Sequence, residues 1–356
     1  MIVTPENMSF DNKKFSLLIY GEPGIGKTTM ALSAPNPVLL DFDRGISRVA
    51  YDYWKPAEFF FFSDVQGALK EGKSPEMIAE KLSKYGVTLD DVHRLSRYKS
   101  AYDEVLYDLN TPAVQNCETI VIDTGGSFVT LLKDWAVSEG GRNVTKSGGI
   151  SQSGYGTVKN EFAAFVDRVK TVLNKNIIFV FHTTEGLDQD GNPIQRLQCE
   201  GATRTTVWNA CDFGCFVRYI NGNRTACFAP SAEYQSKGTY GIKRNIPIPE
   251  LGASAANDFV AKQIFGVAKA IIRADAEKNA AKRAEAQAQY DRVMESAKAV
   301  IETVTDVDTA NKALSEIMSY DHAKTSKEES WNMLKNKAGD LGLKYTKQSG
   351  FIPKEG

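Results

Sequence analysis

The stretch GEPGIGKTT, residues 21–29, constrains the fold of this chain more than any other part of its sequence. It has the spacing of a phosphate-binding P-loop, Gly21-x-x-x-x-Gly26-Lys27-Thr28, and it follows an apolar run, FSLLIY, that is typical of a buried strand. A P-loop grips a polyphosphate mainly through backbone N–H groups, and glycines let the backbone curl around the phosphates. The sequence therefore predicts a strand, a phosphate-binding loop and a helix, in this order.

Each position of this loop has an expected task. The Lys27 ammonium is expected to reach the β- and γ-phosphates, and the Thr28 hydroxyl to ligate Mg²⁺, which prefers hard oxygen ligands. The helix that opens at Lys27 would direct its positive end at the phosphates. We therefore expect ATP and Mg²⁺ as cofactors. The predicted nucleotide-binding residues are Gly21, Glu22, Pro23, Gly24, Ile25, Gly26, Lys27, Thr28 and Thr29.

Continuous apolar runs alternate with helical patterns along the first 250 residues. They lie at 15–20, 37–43, 58–62, 118–124 and 176–182. Runs in which apolar residues do not alternate with polar ones belong to strands that are covered on both faces. They predict an α/β fold with a mostly parallel sheet. Asn221-Gly222 separates two strand-like runs and predicts a hairpin at an antiparallel edge.

From about residue 253 the chain becomes rich in Ala, Glu, Lys and Arg, which is typical of long helices. We predict two domains, an ATPase core over 1–252 and a C-terminal helical region over 253–356. The helical region is expected to be either an interaction module or a solvated bracket packed on the core.

The composition excludes several functional classes. Across 356 residues, 43 basic side chains balance 44 acidic ones, so any surface that attracts nucleic acid must be local. The five cysteines are scattered and predict free thiols in a reducing compartment. No secretory leader or long apolar run is present in the sequence, and we expect a cytoplasmic protein with no membrane segment.

Polar side chains end three of the predicted strands, where ligands of open α/β sheets bind. Asp123 ends TIVID in the Walker B arrangement, whose carboxylate holds Mg²⁺ through its water shell. Asp41 and Asp43 end the run before it, where a carboxylate could polarise the attacking water or an Asp could cap a helix that starts near Ile46. His182 ends IIFVFH and is either a sensor of the γ-phosphate or an ordinary core or loop histidine.

The motifs GEPGIGKTT, LLDFDRG, TIVIDTGGSF and FVFHTTEG, in this order and at these spacings, resemble those of phage-encoded RecA-like P-loop ATPases. Some members of that group are recombinases that promote single-strand annealing. The resemblance covers roughly residues 10–250. It implies a RecA-like core, with Asp43 as the carboxylate that activates water and His182 in place of the glutamine that couples ATP to the DNA-binding loops. RecA itself has a glutamate at the position of Asp43, and the shorter side chain implies slow hydrolysis.

The resemblance also implies two loops that contact single-stranded DNA, over residues 138–156 and 183–206. Their flexible, neutral to basic composition suits binding to a phosphate backbone, although surface connections or active-site lids have similar sequences. The candidate DNA-binding residues in these loops are Arg142, Lys146, Tyr155, Arg196 and Arg204.

Lys243 and Arg244 correspond in the resemblance to basic residues that reach the ATP of a neighbouring subunit. Such a finger stabilises charge on the transferring phosphoryl group, so it implies a homo-oligomer, a filament or a ring. Two exposed basic residues in a turn are the alternative.

Two classes of function are therefore expected. The first is a DNA-stimulated ATPase of phage recombination or annealing, working in the host cytoplasm with single-stranded DNA. The second is a nucleotide switch or assembly ATPase that acts on a protein partner without touching DNA. In either case the C-terminal helices are the expected contact for a partner, such as a single-strand-binding or other replication protein.

Overall fold

The structure is a computed structural model that describes residues 13–46, 54–57, 60–188, 190–200, 203–250 and 257–354. The described strands are β1 (Ser16–Gly21), β2 (Pro37–Asp41), β3 (Lys55–Ala57), β4 (Thr119–Asp123), β5 (Asn176–Leu187), β6 (Pro193–Leu197), β7 (Phe213–Ile220), β8 (Asn223–Cys227), β9 (Asn245–Pro247), β10 (Leu343–Thr346) and β11 (Gly350–Pro353).

The described α-helices are α1 (Lys27–Ala31), α2 (Phe62–Lys70), α3 (Pro75–Leu82), α4 (Leu89–Leu95), α5 (Ala101–Asp108), α6 (Pro112–Gln115), α7 (Gly125–Ser138), α8 (Gln152–Asp167), α9 (Thr203–Ala210), α10 (Val267–Glu302), α11 (Val307–Met318) and α12 (Ser326–Asp340). Two short 3₁₀ turns lie at Ser83–Tyr85 and Gly141–Asn143. A π-helical segment, Arg168–Val172, continues α8, and another, Val260–Gly266, precedes α10.

The larger sheet runs in the order β3-β2-β4-β5-β1-β7-β8-β9, and β6 pairs with the extension of β5. β1 is parallel to both β5 and β7, and β4 is parallel to β2 and β5. β5 therefore lies between the strand that leads into the P-loop and the strand that ends at Asp123. The carboxyl ends of β1, β2, β4 and β5 meet at one edge of the sheet, which places their terminal side chains near the P-loop.

Both faces of the sheet are covered, as the continuous apolar runs predict. Neighbouring β1 residues Leu17 and Leu18 are both fully buried although they point to opposite faces. On one face the rings of Phe128 from α7 and Phe165 from α8 lie 4.7 Å apart, centre to centre. On the other face Phe15 stacks on Phe265 at 5.5 Å.

The antiparallel edge forms where the sequence predicts it. Asn221 and Gly222 both have positive φ angles, 50° and 79°, and connect β7 to β8 by a two-residue turn. Such φ angles match a turn that follows the twist of the strands. β9 then pairs antiparallel with β8. The predicted α/β fold class, a P-loop core with a mostly parallel sheet, an antiparallel edge and a C-terminal helical region, is confirmed.

The predicted strand over 58–62 is wrong in its described part. β3 ends at Ala57, and α2 begins at Phe62. The carboxylate of Glu104 accepts hydrogen bonds from the Phe61 N–H at 2.9 Å and the Phe62 N–H at 2.7 Å, which satisfies the free amides of a helix start. Residues 58 and 59 lie outside the described residues.

The described chain divides into two compact units, the first ending at Ile271 and the second beginning at Ile272. The second unit has its own core, built from the C-terminal part of α10, from α11 and α12 and from the β10–β11 hairpin; it includes Ile301, Ile317, Leu334 and Phe351. The predicted domain boundary at 252/253 lies outside the described residues and stays a prediction. Within the described residues, no helix has the length and apolar content that crossing a bilayer requires.

Candidate nucleotide-binding site

The P-loop has the backbone conformation that phosphate binding requires. Gly24 and Gly26 have φ angles of 79° and 86°, a region that favours glycine. Gly21 has a second constraint, because a Cβ there would lie 2.6 Å from the carbonyl oxygen of Val217 on β7. The loop therefore needs glycine at these positions both for its curvature and for its close contact with the sheet.

Lys27 opens α1 and lies inside the curve of the loop, with 5% of its surface exposed. Its ammonium donates a hydrogen bond to the Glu22 carbonyl oxygen at 2.7 Å. Burial lowers the pKa of Lys27 to about 8, while the nearby Asp123 carboxylate acts in the opposite direction. A buried cation beside a carbonyl and a nearby carboxylate is ready to accept an anionic partner, and a triphosphate is such a partner.

Thr28 and Asp123 meet at the mouth of this loop. The Thr28 hydroxyl donates to Asp123 Oδ2 at 2.5 Å, and burial raises the pKa of Asp123 to about 6. Mg²⁺ is usually held by one or two protein oxygens together with waters and substrate phosphates, and an adjacent hydroxyl and carboxylate fit that ligand set. Among the described residues, no cluster of three or more His, Cys, Asp or Glu could hold a metal by itself.

The two aspartates that follow β2 have different surroundings. Asp41 is buried, and its carboxylate accepts from the Gly45 N–H at 3.0 Å and the Ile46 N–H at 2.8 Å. Asp43 is exposed, and its Oδ1 accepts from the Ser127 hydroxyl at 2.5 Å. Asp41 therefore holds the backbone of residues 45 and 46, and Asp43 keeps one carboxylate oxygen beyond its bond to Ser127. The helix that the sequence predicts after Ile46 lies outside the described residues.

A cavity of about 420 Å³ adjoins these groups, and both Asp43 and His182 line it together with Ser127. His182 is the last β5 residue in register with β1, opposite Gly21. Burial, followed by the charge of Lys27, lowers the pKa of His182, so the ring is neutral at pH 7. Its Nδ1 is buried and has no hydrogen-bond partner among the described residues. A neutral imidazole with a free nitrogen can bind a water or a phosphate oxygen.

The first predicted DNA-contacting segment, 138–156, is more structured than a loop. It contains the 3₁₀ turn at Gly141–Asn143 and an isolated bridge between Val144 and Ile150, and α8 begins at Gln152. Arg142 is exposed on the 3₁₀ turn, and Lys146 is exposed on the loop between Val144 and Ile150. Tyr155 lies in the first turn of α8, where the Lys133 ammonium is 5.7 Å from its ring centre.

The second segment, 183–206, forms a two-stranded arm followed by a helix. β5 continues past His182 to Leu187, and β6 returns antiparallel, pairing Thr183 with Leu197. α9 then begins at Thr203. Arg196 is half-buried on this arm and donates to the Leu187 carbonyl oxygen, and Arg204 on α9 donates to the Cys199 carbonyl oxygen at 2.8 Å.

Lys243 and Arg244 are exposed just before β9, on the segment that follows the β7–β8 hairpin. They do not line the cavity that Asp43 and His182 share. The structure therefore unites the P-loop, Asp123, Asp43 and His182 within one chain, and leaves Lys243 and Arg244 outside this group.

The sequence analysis missed two residues of the site. Ser127 holds Asp43, and the Lys133 ammonium, which pairs with Glu200, lines the same cavity. Both lie on α7, the helix that follows Asp123. For Ser127 the available signal was a polar residue one helical turn beyond the Asp123 carboxylate.

The core resembles several solved structures. The RadB recombinase is 14% identical, with 67% of this chain and 89% of that chain covered at a TM-score of 0.31. The flagellar accessory protein FlaH from Methanocaldococcus jannaschii is 13% identical, with coverages of 67% and 87% and a TM-score of 0.30. A KaiC-like protein from the hyperthermophilic archaeon Pyrococcus horikoshii is 10% identical, with coverages of 60% and 77% and a TM-score of 0.27.

No curated protein sequence matches this chain. A profile of the AAA domain family matches residues 13–240, which include the P-loop, the carboxylates and the arm. This match covers more than half of the chain, and its boundaries enclose β1 to β8. The chain therefore belongs to the AAA domain family and is a P-loop NTPase.

Proposed function

We propose that the protein binds ATP with Mg²⁺ at the P-loop and hydrolyses it. The observation that carries this proposal is the direct contact between Thr28 and Asp123, beside the buried ammonium of Lys27. Burial destabilises the charge of Asp123, so this carboxylate does not stabilise the fold. Its position beside a hydroxyl and a cation is therefore better explained by ligand binding. Bound Mg²⁺ would neutralise charge that develops on the phosphates.

Asp43 is the residue proposed to activate the attacking water. Its carboxylate is exposed to the cavity that His182 lines, and the Ser127 hydroxyl fixes one of its oxygens. The other oxygen is available to accept a proton from water. His182, being neutral, is proposed to hydrogen-bond the same water or a γ-phosphate oxygen through its free nitrogen.

Single-stranded DNA is the proposed ligand of the segments 138–156 and 183–206. The first segment begins at the end of α7, the helix that follows Asp123, and the second begins directly after His182. Both are therefore connected to elements of the nucleotide site. The Gln198 N–H donates to the His182 carbonyl oxygen at 2.9 Å, so the base of the arm is tied directly to the site. Movement of His182 on phosphate release would therefore reach the arm. The resemblance to phage RecA-like ATPases supports a role in phage recombination or annealing.

Salt-dependent DNA binding tests this part of the proposal. Affinity for an oligothymidylate should fall steeply with salt concentration, and Arg142→Ala or Lys146→Ala should each lower the salt slope by about 0.7 if each residue neutralises one phosphate. Fluorescence anisotropy of a labelled strand measures both quantities. An affinity that is undetectable at low salt would contradict a DNA role.

A finger from a neighbouring subunit is the proposed role of Lys243 and Arg244, whose exposure leaves them free to reach another copy. ATP hydrolysis per subunit should then rise with protein concentration, and Lys243→Ala should remove that rise. A specific activity that is independent of concentration and unchanged by Lys243→Ala would exclude the finger.

The second candidate function is a nucleotide switch that acts on a protein partner. The observation in its favour is the separate core of the C-terminal unit, which includes Ile317 and Phe351 and suits an independent interaction module. ATP hydrolysis that is indifferent to DNA, together with intact nucleotide binding, would favour this candidate.

A further inference from the structure

A second polar cavity, of about 560 Å³, lies in the P-loop unit at the far end of β6. It is formed by the end of that strand, by one side of α9 and by the segment 230–237. Its lining includes Arg196, Arg204, Trp208, Ser236 and Lys237.

Three residues of this lining also carry a buried donor without a hydrogen-bond partner among the described residues, namely Arg204 Nε, Trp208 Nε1 and the Ser236 hydroxyl. These atoms are closed to solvent and therefore to the cavity as well. A ligand in the cavity would instead meet its charged side chains, Arg196, Arg204 and Lys237.

The charge of the cavity has the matching sign. Arg196, Arg204 and Lys237 contribute three positive charges, and none of the described lining residues is acidic. Within the part of the chain that the structure describes, each of these cations donates to a backbone carbonyl, those of Leu187, Cys199 and Cys211 respectively. Carbonyl oxygens do not neutralise them, so the cavity attracts anions.

The donor set suits one anion in particular. A phosphate group carries several acceptor oxygens, and guanidinium N–H groups bind phosphate oxygens by charge-assisted hydrogen bonds. A carboxylate offers fewer oxygens and less charge to the same groups.

We propose that this cavity is a phosphate-binding site, separate from the P-loop. The phosphate can come from the backbone of a bound strand, which rests on the proposed DNA function, or from a free phosphate or nucleotide. The site also contacts the nucleotide centre, because Arg204 holds the carbonyl of Cys199, and Cys199 lines the cavity of Asp43 and His182.

The test uses the full chain with 5-fluorotryptophan in place of tryptophan and Lys27→Ala to weaken phosphate binding at the P-loop. The chain has four tryptophans, and Trp208→Phe assigns the fluorine resonance of interest. Inorganic phosphate should shift the Trp208 resonance saturably. Arg204→Gln should weaken this binding about tenfold, because it removes a charged donor.

Arg97→Gln is the matched control, since Arg97 is exposed on a different part of the same unit and should leave the shift unchanged. Thermal melting of each variant confirms that it folds. A Trp208 resonance that moves with neither phosphate nor oligothymidylate, or that moves equally in Arg204→Gln, would overturn the proposal.

The two sources of phosphate are distinguished in the same experiment. A shift with oligothymidylate at a lower concentration than with inorganic phosphate identifies a strand phosphate, and a shift with inorganic phosphate alone identifies a free one. Anisotropy and ATP hydrolysis are measured separately. Failure of the DNA function would therefore abolish strand binding and leave the phosphate-induced shift intact.

Discussion

The Thr28 hydroxyl donates a hydrogen bond to the Asp123 carboxylate at 2.5 Å, across 95 residues of sequence. Thr28 lies in the first turn of α1 and Asp123 ends β4, two elements that the sheet brings to the same edge. This contact joins the P-loop to the Walker B strand, and it places the two proposed magnesium ligands side by side.

Removing the Thr28 hydroxyl should weaken binding of Mg·ATP more than binding of ATP in the presence of a chelator. Thr28→Ala deletes one hard oxygen ligand, and we expect a loss of about tenfold in affinity for Mg·ATP. Thr28→Ser keeps the hydroxyl and should restore most of the binding. Calorimetric titration with and without EDTA measures the difference, and equal losses under both conditions would contradict a role in metal binding.

Asp123→Asn should stabilise the nucleotide-free protein while abolishing hydrolysis. Burial raises the pKa of Asp123 to about 6 from an ordinary value of 3.8, so the folded state binds more protons than the unfolded state between pH 4 and 6. The free energy of unfolding therefore falls as the pH rises from 4 to 6. At neutral pH the Asp123 carboxylate lowers it by an amount on the order of 1–3 kcal/mol.

Urea unfolding at pH 4 and pH 7.5 checks this prediction. The stabilisation by Asp123→Asn should be present at pH 7.5 and small at pH 4, and Asp90→Asn at an exposed position should show no such difference. A variant that is less stable than the wild type at pH 7.5 would show that the carboxylate stabilises the fold.

The affinity for ATP should fall as pH rises above 8. In the free protein burial lowers the pKa of Lys27 to about 8, and a bound triphosphate would raise it again. ATP binding above pH 8 is then accompanied by uptake of a proton, so the affinity for ATP falls by up to about tenfold per pH unit. Calorimetry in two buffers of different ionisation enthalpy measures the proton uptake. Lys27→Arg keeps its charge throughout this range and should remove the effect; uptake that persists in this variant would assign the proton to another group.

Ser127→Ala should lower kcat with little change in KM. The Ser127 hydroxyl holds one oxygen of Asp43, so its loss should leave that carboxylate mobile and slow hydrolysis by about tenfold. Ser127→Thr should recover most of the rate. Steady-state kinetics separates the two constants, and a rise in KM at constant kcat would show that Ser127 serves ATP binding.

The sequence predicts the parts of the site that depend on local pattern. The P-loop spacing, the strands that lead to Asp41, Asp123 and His182, and the Asn221-Gly222 turn are all set by neighbouring residues. These elements agree with the structure because a buried strand and a glycine turn have the same requirements in any fold.

Long-range contacts account for what the sequence does not show. Phe62 begins a helix because Glu104, 42 residues away, caps its amide. β5 continues to Leu187 because β6 folds back on it, and nothing in the run 183–187 alone distinguishes a strand from a loop. Ser127 is one of many polar helix residues until the sheet brings it to Asp43, 84 residues away.

Steady-state ATP hydrolysis, with and without a long single-stranded oligonucleotide, tests the central claim most directly. Lys27→Ala serves as the blank, and Asp43→Asn tests the proposed carboxylate. We expect a wild-type rate above the blank, a rise of several-fold with DNA, and a rate close to the blank for Asp43→Asn. A wild-type rate equal to that of Lys27→Ala under both conditions would exclude ATP hydrolysis at the P-loop.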